Sequence, residues 1–125
     1  MSSVTRSLSD RDDTLYIEDM LEFSAKAMAY AADLSEQTLT HEPMRYDAIL
    51  RNLELIGEAS THVPASLRAL APEVPWREVV ATRNRVAHAY LGIASDTVWS
   101  ILTDDLPALR RSLLALLATI RSTPD

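Results

Sequence analysis

The C-terminal stretch from residue 96 onward carries Val98, Leu102, Leu106, Leu109, Leu113, Leu117 and Ile120 at steps of three and four. A helix turns once in ~3.6 residues, so this spacing lines one helical face, whereas a strand would need alternation. The rule repeats upstream. Ile17, Leu21, Ser24, Met28 and Ala31 recur among Glu18, Asp19, Glu22 and Lys26, which predicts a helix over 13–36 with Asp12 or Asp13 at its start. Tyr46, Ile49, Leu50, Leu53, Ile56 and Ser60 predict a second helix over 43–61, with Pro43 in its first turn. No segment alternates with period two for long enough to form a strand.

Punctuation fits the same plan. Residues 35–43 are polar and read as a loop. Pro64, Pro72 and Pro75 break a connector with room for one short helical turn at 65–70. Pro75 opens a third helix containing Trp76, Val79, Val80, Val86 and Ala87, which ends at Gly92, and Ser95 or Asp96 caps a fourth. Pro107 lacks an N–H and crowds the turn before it, so the final run should kink or divide near residues 104–106. Gly57 sits inside the second helix, where glycine costs about 1 kcal/mol relative to alanine, and a close helix–helix contact would account for it. The expected fold is all-α, an up-and-down bundle of four to five helices with a final helix kinked near Pro107. Residues 1–12 read as a flexible tail and 13–121 as one domain.

Composition removes several chemistries. There are only two glycines, little material for tight hairpins, and no cysteine, so disulfides, thiolate nucleophiles and cysteine-based zinc sites are excluded. The polar start resembles neither a signal peptide nor a membrane span, and a cytoplasmic protein is expected. A net charge of −6 argues against nonspecific coating of nucleic acid. The excess lies mainly in residues 1–40, with eight acidic and three basic groups, whereas residues 41–95 carry six of each.

That balanced segment contains TRNRVAHAY at 82–90. On a helix, Arg83 and His88 lie ~140° apart, Asn84 and His88 share a face, and Arg83 and Tyr90 lie within ~20° of each other. The four cover a sector of ~160°, wide for one monomer but suited to a cleft between two copies of the helix. An imidazole exchanges protons near neutral pH, and a guanidinium holds a phosphate and stabilises charge developing on it. RNA carries its own nucleophile, the 2′-hydroxyl, so a base and an arginine suffice without a metal. Spacing alone leaves a structural or capping role open for both residues.

The flanking sequence is more specific. LRNLELIGEAS at 50–60, VPWREVVATRNRVAHAYLGI at 74–93 and DTVWSILTDDLPALRRSL at 96–113 resemble, in order and spacing, the HEPN family and within it the HepT toxins of HepT–MntA toxin–antitoxin pairs. With the first helix the resemblance covers about residues 13–120. It implies a homodimer with the two motif helices across a shared cleft, and a metal-independent endoribonuclease that uses no cofactor. Arg83 and His88 would carry the chemistry, and Asn84 matches the polar residue that commonly follows the family's arginine; Arg85, three before His88, is read by its position as a supporting contact to RNA or across the dimer, or equally as an exposed salt bridge. Tyr90 matches the tyrosine to which the partner MntA, a minimal nucleotidyltransferase, transfers AMP from ATP. A non-catalytic helical module serving as partner or substrate of a nucleotidyltransferase is the competing reading.

Other polar residues read more plainly. His41 and His62 stand alone in or near loops and are expected to be solvated. Glu54 and Glu58 have no third ligand at useful spacing and read as a solvated face or as partners for arginines. Arg45 and Arg51 fit surface positions, and Trp76 and Trp99 fit core anchors.

Overall fold

A computed structural model describes the backbone of residues 2–90 and 95–122, and side chains over 14–87 and 95–122. The described residues are helical and contain no strand: α1 (Ser2–Ala31), α2 (Pro43–Ser60), the short α3 (Ala65–Arg68), α4 (Trp76–Tyr90), α5 (Ser95–Ser100), a π-helical turn (Ile101–Asp105) and α6 (Leu106–Ser122). The expected all-α bundle is thus found. The first helix is displaced from the predicted 13–36. It starts at Ser2, so its backbone is helical through the residues expected to be a tail, and it ends five residues early at Ala31. Reciprocal hydrogen bonds between Ser35 and Thr38 then organise the loop that follows.

The bundle is built outward from α2. α1 packs along one side of it and α4 along another, while α6 returns against α1. α2 contributes the buried Ile49, Leu50, Leu53 and Ile56, which meet Ile17, Met20 and Ala27 of α1, Val79 and Val86 of α4, and Leu109, Leu113 and Leu117 of α6 in one core. In α1, the expected Ile17 and Ser24 are fully buried together with Met20 and Ala27, whereas the expected Leu21 and Met28 are only partly buried at the edge of the stripe. Leu39, in the loop after α1, is fully buried and plugs that end of the core. Arg110 of α6 donates to the Ser24 hydroxyl at 2.8 Å and to the Leu21 carbonyl, tying α6 to α1.

The division expected at Pro107 takes the form of the π-turn, which ends at Asp105. Proline cannot donate to the turn before it, and its ring pushes against the carbonyl four residues back. The wider turn relieves both, with the Leu106 N–H donating to the Ile101 carbonyl five residues earlier. At the other end of the bundle Arg68 fixes the connector. It donates to the carbonyls of Ser60 and Val63 and lies 5.5 Å from the Trp76 ring, whose indole N–H donates to the Ala71 carbonyl. These contacts set where α4 begins. Trp76 and Trp99 are partly buried against the core. Gly92, expected to end α4, lies outside the described residues. No helix among those described is long and apolar enough to cross a membrane.

Candidate functional site

α4 is continuous from Trp76 to Tyr90, so Arg83, Asn84, Arg85, His88 and Tyr90 all belong to one helix and the angular relations drawn from the sequence hold for its backbone. Val79, Thr82 and Val86 turn inward, and Arg83 and Asn84 are exposed on the outer side. The Thr82 hydroxyl donates to the Glu78 carbonyl, which satisfies it within the helix. The side chains of His88 and Tyr90 lie outside the described residues.

Arg83 is positioned by α2. Gly57 brings the two helices close together: a Cβ there would sit 3.0 Å from Arg83 Cγ, 3.3 Å from the Arg83 nitrogen and 3.3 Å from the Val79 carbonyl oxygen. The close approach that a mid-helix glycine implied is therefore present, and it accommodates the α4 backbone at Val79 and Arg83 together with the stem of the motif arginine. One residue further along α2, Glu58 accepts a hydrogen bond from Arg83 Nη1 at 2.7 Å. Its second oxygen lies 3.8 Å from His62 Nε2, and the His62 ring stacks on Tyr16 of α1 with centroids 4.8 Å apart. The four groups form a continuous surface chain from α1 through α2 to α4. His62 is exposed, as expected, but it is not isolated. About half of the Arg83 and Glu58 side chains remains open to solvent, so the guanidinium is restrained yet reachable.

Arg85 does not join this group. It is partly buried and lines a separate cavity of about 280 Å³ between α4, the π-turn and α6, with Leu53, Ile56 and Val79 on its apolar side and Glu73, Glu78, Asp104 and Asp105 around it. Arg45 pairs with Asp33 and Glu42, and Arg51 with Glu54, so both are engaged by nearby carboxylates on the surface. Among the described residues no cluster of three or more histidine or carboxylate groups could hold a metal ion. The pairing of Glu58 with Arg83 was not identifiable from spacing, because the two are 25 residues apart and meet only through the α2–α4 contact.

Residues 17–116 match the family described as "Ribonuclease HepT-like", and the matched span contains the whole of α2 and α4. A Methanocaldococcus jannaschii protein provisionally named an RNase is 32% identical over 106 residues, covering 85% of this chain and 97% of its own. A Thermococcus cleftensis protein provisionally named ribonuclease HepT is 32% identical over 95 residues, covering 76% of this chain and 86% of its own. A Caldanaerobacter subterraneus protein, also provisionally named an RNase, is 26% identical over 102 residues, covering 82% and 91%. No solved structure matches the chain closely enough to count as a relative.

Proposed function

The chain belongs to the HepT-like ribonuclease family, and from that premise we propose that it is an endoribonuclease toxin that cleaves RNA with Arg83 and His88. The family match across the helix that carries the Arg83–His88–Tyr90 spacing is the observation that supports this reading most.

The chemistry is an attack of a ribose 2′-hydroxyl on the adjacent phosphorus. One His88 imidazole removes the hydroxyl proton as the new O–P bond forms. The bond to the 5′-oxygen breaks, and that oxygen takes a proton from a second, protonated imidazole. The products are a 2′,3′-cyclic phosphate and a free 5′-hydroxyl. Arg83 binds the phosphate and stabilises the charge that grows on its non-bridging oxygens. A single copy supplies one histidine and one arginine, so the site is assembled from two copies in a homodimer, which provides base, acid and two phosphate clamps. Asn84, one turn before His88, is spaced so that it can hydrogen-bond and orient the imidazole, and Arg85, which lines the separate cavity, would support the site from another side of α4. The reaction needs neither metal nor cofactor.

Neutralisation occurs at Tyr90. Its hydroxyl oxygen attacks the α-phosphorus of ATP on an MntA-type nucleotidyltransferase, pyrophosphate leaves, and the phenolic proton passes to solvent or a base. The attached AMP places a phosphate and a nucleoside in the RNA cleft, excluding substrate by bulk and charge.

Arg83→Ala and His88→Ala should each reduce RNA cleavage by about 10² to 10⁴ and abolish growth inhibition, with thermal unfolding unchanged. Full activity in a folded His88→Ala protein would remove the assignment. The acidic net charge and the occupation of Arg83 by Glu58 favour, as a second reading, a non-catalytic substrate of the nucleotidyltransferase. That reading predicts intact RNA under every condition in which Tyr90 is still modified.

A further inference from the structure

We infer that Glu58 is a positioning residue for Arg83, and that Gly57 and Glu58 together form a two-point cradle that holds the guanidinium in the orientation the phosphate requires. The inference rests on Arg83 being the phosphate clamp and concerns what keeps it in place.

Arginine has a long stem with several rotatable bonds, so an arginine on an exposed helix face samples many orientations. Two features of α2 restrict this one. At Gly57 there is no side chain, and a Cβ there would press on the Arg83 stem, 3.0 Å from Cγ, and on the α4 backbone, 3.3 Å from Arg83 N and from the Val79 carbonyl oxygen. At Glu58 a carboxylate oxygen takes the Nη1 end at 2.7 Å. The stem and the head are thus fixed by consecutive residues of a neighbouring helix.

The cradle leaves the arginine usable. A guanidinium presents five N–H donors in a planar fork, and the recorded contact engages Nη1. The remaining donors can receive a phosphate without breaking the pair. The second oxygen of Glu58 faces His62 at 3.8 Å, an ion pair only when the imidazole is protonated, and His62 stacks on Tyr16. A partner that only competed with RNA would need neither the glycine beneath the stem nor the histidine behind the carboxylate.

The geometry also separates positioning from proton chemistry. Positioning needs a hydrogen-bond acceptor at residue 58, which glutamine retains, whereas proton transfer needs a carboxylate, which glutamine lacks. An exposed ion pair adds little to folding stability, so substitutions at Glu58 should leave the bundle folded.

The test is steady-state cleavage of a defined RNA by the full chain and its Glu58→Ala, Glu58→Gln, Gly57→Ala and Arg83→Ala variants, each checked for thermal unfolding. Glu58→Ala should lower kcat about 10- to 100-fold, as expected for a small displacement of a group that must be aligned. Its KM should stay within about threefold of the parent or fall, because removing a negative charge does not weaken phosphate binding. Glu58→Gln should recover most of kcat. Gly57→Ala should repeat the kcat loss by pushing the stem aside. Wild-type or higher kcat in Glu58→Ala, beside an inactive Arg83→Ala, would overturn the cradle while leaving the ribonuclease reading intact. Equal loss in the Ala and Gln variants would also overturn it, pointing to proton chemistry at the carboxylate. Full activity in Arg83→Ala would remove the phosphate clamp and the cradle with it.

Discussion

Arg83 depends on what is missing as much as on what is present. The absent side chain of Gly57 and the carboxylate of Glu58 act on opposite ends of the same arginine, and neither is on its helix. Tyr90 poses a different question at the same scale, because a proposed modification is a chemical fact about one oxygen. Incubation with an MntA-type nucleotidyltransferase and ATP should add the mass of AMP to Tyr90, and Tyr90→Phe should prevent it. Undiminished labelling of the Phe variant would move the modification elsewhere. A glycine in the interior of an otherwise regular helix pointed to a close contact, and the contact is there. Its partner was not legible, since which residue of α4 lies over Gly57 depends on the crossing of two helices. The same applies to Glu58, readable as a partner for some arginine but not for this one.

At the scale of elements, periodicity carried most of the information. α6 has the stripe its sequence spells out, with Leu106, Leu109, Leu113 and Leu117 buried. Leu113 is completely enclosed, so Leu113→Ala should cost about 2–5 kcal/mol in a denaturant titration. A loss below 1 kcal/mol would mean that the α1–α6 packing is looser than described. Local chemistry likewise announced the break before Pro107, although only the folded chain shows that a π-turn resolves it. The first helix was less legible at both ends. Ile17, Ser24 and Ala31 are buried as the spacing predicts, and Met20 and Ala27 join them because α1 is covered by both α2 and α6, which widens its buried face. Tyr46, in the first turns of α2, has its phenol pKa raised above 10.0, chiefly by burial and secondarily by Asp47. Its contribution to stability is fully present below the unfolded value of about 10 and is lost as pH rises through the higher folded value. Tyr46→Phe should therefore flatten the alkaline decline in unfolding free energy. An identical decline in both proteins would assign it to other groups.

For the whole molecule, an acidic chain that acts on RNA must concentrate its positive charge locally. The described surface shows several arginines held by neighbouring carboxylates: Arg45 by Asp33 and Glu42, Arg51 by Glu54, and Arg83 by Glu58. The proposed site joins two copies, so it would bring two Arg83 guanidiniums to one cleft. The protein should sediment as a dimer at concentrations where it cleaves RNA, and activity that persists undiminished in a strictly monomeric sample would contradict the shared site. Family membership and helical architecture were open to sequence reasoning because they rest on contiguous blocks and on period. The packing of Arg83 against Gly57 and Glu58 was not, because it depends on how two helices cross. The most direct measurement uses end-labelled RNA incubated in EDTA with the wild-type protein and with His88→Ala, followed by analysis of the fragment ends. Fragments ending in 2′,3′-cyclic phosphate are expected from the wild type and intact RNA from the variant. Intact RNA in both reactions, or equal cleavage by both, would contradict the proposed mechanism.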